Sequence, residues 1–280
     1  MKNIILLSCF ALFPIFLFGQ NVPISGQIIE ENNKAAIAYA NIGILNRNIG
    51  TVTDDNGFFK FELSAEVKET DTVKISMIGY DSRIFTVVDF RQMLDQNAVI
   101  GLQPKAYNLN TVTIVPKGQI RKIVGNDKRN GIMSVGFGSN KMGREMAALL
   151  KIKKQPTYVD KVFVNITQCT YDSIFYRLNI YEYDKKTNQP VRNLLPKPVY
   201  VNFTKKETEE TLMIDVSHLN ILVEDDFIVS LELIKDLGEG DIYFSVNLRK
   251  TKGFVRMVSQ GEWNKAPIGP SIYAEVLYEE

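Results

Sequence analysis

From residue 24 onward, apolar and polar positions alternate with a period of two in short runs, and turn-favouring residues interrupt the runs about every ten positions. This period places successive side chains on opposite faces of a pleated strand, so each run reads as a strand with one buried face. Strands are predicted at 24–29, 38–45, 50–53, 58–63, 72–78, 83–88 and 99–102, with room for a helical turn only at 89–96. A second series is predicted at 145–153, 158–167, 173–183, 199–203, 211–216, 226–234, 242–248, 254–259 and 272–278. Between them, 116–138 is rich in Gly, Lys and Arg with little apolar periodicity, and is assigned as a linker. The expected chain is therefore all-β: a β-sandwich at 22–115, then a second, jelly-roll-like β-sandwich at 139–280.

A different pattern precedes the alternation. Lys2 is followed by an apolar run over 4–18, then Gly19-Gln20 and a polar restart at Asn21, the layout of a secretory signal peptide at 1–20. The run is about 15 residues long and contains Pro14, against the roughly 20 residues of a membrane span. Cys9 after Leu6-Leu7-Ser8 faintly suggests a lipoprotein site, but too little apolar sequence precedes it for lipidation to be expected. Once the leader is removed, Cys169 is the only cysteine, so no intramolecular disulfide can form. A formal net charge of +1 gives no overall attraction to nucleic acid or anionic lipid. The basic stretch 117–154 and the acidic stretch 205–241 are expected to neutralise each other within one fold.

Asp54-Asp55-Asn56-Gly57 separates two predicted strands with the residue types that favour turns, so a hairpin is expected there. The spacing does not fit a calcium loop, which requires oxygen ligands at alternate positions and a glutamate at the end. "ISGQIIEENNKAAIAYANIGI", "GTVTDDNGFFKFEL" and "DTVKISMIGYDSRIF" together resemble the carboxypeptidase regulatory-like domain, a prealbumin-like, Ig-like β-sandwich. The matching elements are Ser25-Gly26, Ala40-Asn41-Ile42, Gly50-Thr51, Thr53-Asp54, Gly57-Phe58 and Ile78-Gly79-Tyr80. "LNTVTIV", at 109–115, is similar to the segment that leaves this domain in outer-membrane receptors. The resemblance covers 22–115. It implies an accessory module without catalytic residues, in a secreted or outer-membrane protein of Bacteroidetes.

The residues after 115 are too few for the barrel of about 22 strands found in outer-membrane transporters. A barrel of about eight strands would need an uncharged apolar band on every strand, whereas Lys151 and Lys153 share a face of theirs. "GSNKMGREMAALLKI", "FYRLNIYEYD" and "MIDVSHLNILVEDDFIVSLELI" resemble a jelly-roll module found beside adhesin and surface-protein domains in the same bacteria.

Catalytic chemistry is sparse. His218 is the only histidine, which removes the His–Cys zinc sites and leaves no triad base beside a nucleophile, because Ser217 and His218 would point to opposite faces of a strand. "GSNKMGRE" has the glycine spacing of a phosphate loop, but Arg144 and Glu145 stand where Lys and Ser or Thr are needed. Glu224, Asp225 and Asp226 support an alternative function, a carboxylate-dependent glycan or peptide hydrolase.

The more informative pattern lies at 173–183. Tyr176, Leu178 and Ile180 form an ordinary core face, while Arg177, Asn179, Tyr181 and Tyr183 face the other way and combine hydrogen-bonding groups with flat rings. With Trp263, in the turn-like "GEWNKAP", these are the candidate ligand-binding residues for a sugar or peptide. The plainer account is that the tyrosines pack and Trp263 plugs one end of the sandwich.

No catalytic, metal-ligating or cofactor-binding residue is assigned. The expectation is an exported, non-enzymatic envelope protein, in the periplasm, at the outer membrane or on the cell surface. It would bind a glycan or an outer-membrane protein, or assist outer-membrane assembly, with no nucleic acid partner and no transmembrane segment after leader removal.

Overall fold

The computed structural model describes residues 21–105, 119–129, 132–137, 141–247 and 252–279. The expected leader and the 109–115 segment lie outside the described residues.

The first unit contains β1 (Val22–Glu30), β2 (Asn41–Ile44), β3 (Gly50–Val52), β4 (Phe58–Leu63), β5 (Thr72–Ser76), β6 (Arg83–Thr86), α1 (Val87–Gln96) and β7 (Val99–Leu102). Two sheets, ordered β4-β1-β7 and β3-β2-β5-β6, face each other across a core that includes Ile28, Ile42, Ile44, Phe59, Val73, Ile75, Ile100 and Leu102. Strict alternation drives this. On β4, Phe59, Phe61 and Leu63 are buried while Phe58, Lys60 and Glu62 are exposed. At 87–96 a full helix forms where the sequence suggests only a turn. Thr86 caps it by accepting from the Asp89 amide, and Val87 and Phe90 reach the core.

The expected hairpin at Asp54–Gly57 is corrected by the topology. β3 and β4 are not partners: β3 pairs with β2, β4 pairs with β1, and the turn carries the chain from one sheet to the other. Its local chemistry is that of the expected turn. Asp54 Oδ1 accepts from the amides of Asn56 and Phe58, both at 2.9 Å, and Gly57 has φ 76°. Tight turn residues signal that the chain reverses; they do not signal which sheet receives it.

The second unit contains β8 (Gln119–Gly125), β9 (Ser134–Phe137), β10 (Glu145–Leu150), β11 (Thr157–Cys169), β12 (Ser173–Asp184), β13 (Gln189–Asn193) and β14 (Val199–Thr204). It continues with β15 (Thr211–Asp215), β16 (Ile221–Val223), β17 (Phe227–Leu233), β18 (Ile242–Ser245), β19 (Gly253–Arg256), β20 (Trp263–Ala266) and β21 (Ile272–Glu279). One sheet runs β13-β12-β17-β10-β19-β20 with β14 also on β12; the other runs β8-β21-β11-β18-β9 with β15 and β16 also on β11. Their inner faces share one core, with Leu178, Ile180, Val229 and Leu231 from the first sheet and Val162, Val164, Phe244 and Ala274 from the second. Fold class is therefore all-β throughout, a sandwich followed by a second β unit.

The assignment of 116–138 as a linker is corrected as well. β8 pairs with β21 from Gln119 to Gly125, and β9 pairs with β18, so much of that segment belongs to the second unit. Both strands lie at sheet edges, where charged residues such as Arg121 and Lys122 are ordinary and blur the apolar pattern.

β10 and β17 are buried at every position. A strand so buried is covered on both faces. The sandwich core covers the inner face, and the first unit covers part of the outer one. The backbones come together at Gly43 and Gly50, register partners on β2 and β3: a Cβ on either would collide with the Ser259 carbonyl oxygen. Gln260 Nε2 donates to Ser76 Oγ at 2.7 Å, and Lys235 Nζ pairs with Asp55 at 2.9 Å. Tyr39, Val52 and Ile234 form an apolar cluster at the same junction, with Phe175 packed against it.

Candidate functional site

Four charged residues lie in a row across the outer face of the β12-β17-β10-β19 sheet. Arg177 is the register partner of Glu232, Glu232 of Glu145, and Glu145 of Arg256. The order is plus, minus, minus, plus. Arg177 Nη2 and Nε donate to Glu232 Oε2 at 2.8 and 3.1 Å, and Arg256 Nη2 donates to Glu145 Oε2. Asn179 Nδ2 sits between the two acids, donating to Glu145 at 2.8 Å and to Glu232 at 2.9 Å. The hydroxyls of Tyr181 and Ser230 donate to Glu145 Oε1.

The row reaches into the first unit. Arg177 Nη1 donates to the Tyr39 carbonyl at 2.7 Å, and Nη2 to Asn41 Oδ1 at 2.7 Å. Burial opposes the Glu232 charge, but Arg177 and then Arg256 outweigh it and hold that carboxyl below the usual range. Burial pushes the Glu145 carboxyl up, against the pull of Arg256 and with a further push from Glu232. The two acids are therefore unequal: Glu232 carries the firmer negative charge, and Glu145 is the one that takes up a proton first.

Above this row a cleft of about 290 Å³ opens between the two units. Arg177, Asn179, Tyr181 and Arg256 line it from the second unit, with Arg192 and Asn193 from β13; Asn41, Lys74, Ser76 and Ser82 line it from the first. Asn193 Nδ2 donates to Asn179 Oδ1 at 2.9 Å, extending the network to the rim.

The structure thus brings together Arg177, Asn179 and Tyr181 of the sequence-predicted set. It does not present them as an open platform. Arg177 and Asn179 are each 1 % exposed, because the first unit covers the face that the alternation alone leaves to solvent. Trp263 lies on edge strand β20, not in a turn, with the Arg256 guanidinium 4.9 Å from its ring centre and Tyr181 edge-on at 5.8 Å. Tyr183 does not line the cleft: its hydroxyl donates to Asn188 at 2.7 Å, and its ring packs on Phe254 in the apolar cluster that also holds Tyr181 and Trp263.

Lys74, Glu145, Glu232, Arg256 and Gln260 are members of the site that sequence reasoning does not single out. A signal exists for the acids: each is a lone charge in a run otherwise buried throughout, "EMAALL" and "FIVSLEL".

The other candidates fall elsewhere. Asp225 pairs with Lys185 at 2.6 Å, and Asp226 accepts from the Ile152 amide at 3.1 Å. With Glu224 they line a separate groove of about 530 Å³ beside Tyr183 and Arg192. His218 is exposed on a short 3-10 turn, and Ser217 Oγ donates to Asp215 at 2.6 Å. In "GSNKMGRE", residues 138–140 lie outside the described residues; Gly143 has φ 76° and its amide donates to the Leu233 carbonyl, which makes it a turn into β10. Among the described residues no group of three or more His, Cys, Asp or Glu is placed to hold a metal ion. No helix among them is long and apolar enough to cross a membrane.

Comparison with known proteins agrees with the first unit's architecture. Residues 24–114 match the family model of the CarboxypepD_reg-like domain. No curated protein matches the chain. Among solved structures, one similar chain holds the cysteine protease and lectin-like domains of Cwp84, a surface layer associated protein of Clostridium difficile: 10 % identity, 83 % of this chain, 46 % of that one, TM-score 0.37. A second is a variant of the clostridial cysteine protease Cwp84 after propeptide cleavage, at 9 % identity, 91 % of this chain, 70 % of that one and TM-score 0.37. The chain therefore spans under half the length of the first of these structures.

Proposed function

We propose that this chain is an exported, non-enzymatic binding protein of a Bacteroidetes-type cell envelope, in which the carboxypeptidase regulatory-like sandwich and the second, jelly-roll-like unit together build one ligand site. The observation that carries the reading is the cleft between the units. It is polar, it draws side chains from both, and its floor is fixed by the buried row from Arg177 to Arg256. A floor held by cross-strand ion pairs and by hydrogen bonds to Tyr39 and Asn41 is pre-organised, so little ordering cost remains for a ligand to meet.

Export rests on the signal-peptide layout of 1–20 and on the compartment in which such regulatory-like domains are found. The ligand is a glycan or the glycan portion of an envelope component. A non-catalytic role rests on the pairing of the site's carboxylates: each is tied to an arginine beneath the cleft rather than presented to it.

The test is a glycan panel run with the mature chain and with Ser82→Trp, which fills the cleft from an exposed rim position. Retention by the parent and loss in the variant supports the reading. Equal retention by both overturns it. Intact mass of protein recovered from the envelope checks export: the expected chain starts after residue 19 or 20, and an uncleaved leader would remove that part of the proposal.

A further inference from the structure

The cleft wall is electrically one-sided. Lys74, Arg177, Arg192 and Arg256 line it, and no Asp or Glu does among the described residues. Three of these cations are balanced from outside the wall: Arg177 by Glu232, Arg256 by Glu145, and Arg192 by Glu182. Lys74 is not.

Lys74 sits on β5, where Val73 and Ile75 enter the sandwich core while Lys74 and Ser76 project outward toward the second unit. Pairing of β5 with β2 and β6 fixes the face that Lys74 presents, and Ser76 on the same face is held by Gln260 of the second unit. Among the described residues Lys74 has no hydrogen-bond or ion-pair partner. Burial, and then the charge of Arg256, hold its ammonium below the usual lysine range. A half-buried cation without a compensating charge is costly, and bound negative charge removes the cost. A second donor is unspent: Arg256 Nε is buried without a partner, in a residue 8 % exposed.

We infer that the cleft binds a small sugar acid, its carboxylate seated between Lys74 and Arg256 and its hydroxyls on the side-chain amides of Asn41, Asn193 and Gln260. One surplus cation matches one negative charge, which favours a carboxylate over a doubly charged phosphate. Amide groups both donate and accept, as hydroxyls require, and they line the same space. The volume of about 290 Å³ lies at the small end of ligand pockets, which suits a single sugar residue rather than a folded partner. The inference rests on the cleft being the ligand site.

The experiment is titration calorimetry of the mature chain with D-glucuronate, D-glucose and inorganic phosphate. Glucuronate and glucose share a ring and differ in the carboxylate. The expected result is saturable glucuronate binding, weakened about tenfold or more when glucose replaces it. Lys74→Met keeps the stem and removes the charge; it is expected to lower glucuronate affinity to that of glucose while leaving glucose unchanged. Lys122→Met, on β8 and outside the cleft, is the control and leaves both unchanged.

Equal binding of glucose and glucuronate, tighter binding of phosphate, or full glucuronate binding by Lys74→Met overturns the sugar-acid assignment. So does the lack of saturable glucuronate binding up to about 10 mM. The Ser82→Trp variant separates the two levels. If a neutral glycan is bound at least as tightly as glucuronate and is lost in Ser82→Trp, the cleft reading stands and the acid assignment falls. If Ser82→Trp retains every bound ligand, both fall.

Discussion

Arg177 and Glu232 are direct cross-strand partners on β12 and β17, joined by two hydrogen bonds at 2.8 and 3.1 Å, and the same guanidinium crosses to the Tyr39 carbonyl of the first unit at 2.7 Å. One side chain therefore neutralises a buried acid and ties two units together. Arg177→Met leaves Glu232 without its main counter-charge, a type of change that costs about 3–5 kcal/mol. The double variant Arg177→Met, Glu232→Met removes both charges and is expected to lose clearly less than the single one. Urea unfolding of the three proteins measures this; a double variant less stable than the single one would show that the pair stabilises the fold beyond mutual neutralisation.

The unequal acids give a pH signature. Glu145 is raised above the ordinary value of 4.5, so the folded state holds its proton after the unfolded chain has released it. Its contribution is complete below 4.5 and is lost as pH rises through the raised value. Glu232 behaves in the opposite sense: held below 4.5, it stabilises above that pH and its contribution is lost as pH falls through its lower value. Glu145→Gln removes the first limb alone. Unfolding midpoints across a pH series are expected to decline above 4.5 more steeply for the parent than for the variant, whatever offset the amide introduces opposite Arg256.

Much of the fold is legible in the sequence because period-two patterning is strong wherever one face of a strand is buried and the other is wet. β4 shows this, with Phe59, Phe61 and Leu63 in the core and polar Lys60 and Glu62 outside. On β12 the split between Tyr176, Leu178, Ile180 and Arg177, Asn179, Tyr181 matches the two faces of the folded strand. What alternation cannot reveal is the occupant of the second face. A polar face at 173–183 looks the same whether solvent or another unit covers it, which is why Arg177 and Asn179 read as an open binding surface. The edge strands β8, β13 and β20 escape the pattern for a related reason: with one neighbour each, they need fewer apolar residues. Lys74 cannot be found at all from sequence, since its significance lies in the distance between two units.

Gly43 and Gly50 carry the seating of the units. They pair across β2 and β3, and both lie under the Ser259 carbonyl. Gly43→Ala or Gly50→Ala inserts a methyl against backbone that cannot yield without lifting the 258–261 loop, an overpacking of about 1–3 kcal/mol. Expected outcomes are a lower unfolding midpoint and faster cleavage at the junction in limited proteolysis. Gly238→Ala, at a positive φ of 79° but with nothing near its added carbon, separates backbone strain from collision: it is expected to lower stability without speeding cleavage at the junction.

The Asp54–Gly57 turn offers the last test, because it decides between a bend and an ion site. Asp54 Oδ1 accepts from two backbone amides, those of Asn56 and Phe58, and Asp55 is engaged by the Tyr39 hydroxyl and by Lys235. The hydrogen bond from Tyr39, followed by that from Lys235, holds the Asp55 carboxyl below the usual range, so it is ionised but already partnered. With both acids committed to protein donors, calcium or a chelator is expected to leave the unfolding midpoint unchanged. Asp54→Ala is expected to cost about 0.5–2 kcal/mol through the lost amide contacts, by analogy with a cap residue. Gly57→Ala adds strain at φ 76° and a collision with the Ile28 carbonyl, and is expected to cost more. A calcium-dependent rise in midpoint, abolished by Asp54→Ala, would assign the loop to a metal and overturn its role as the crossing between sheets held by its own backbone.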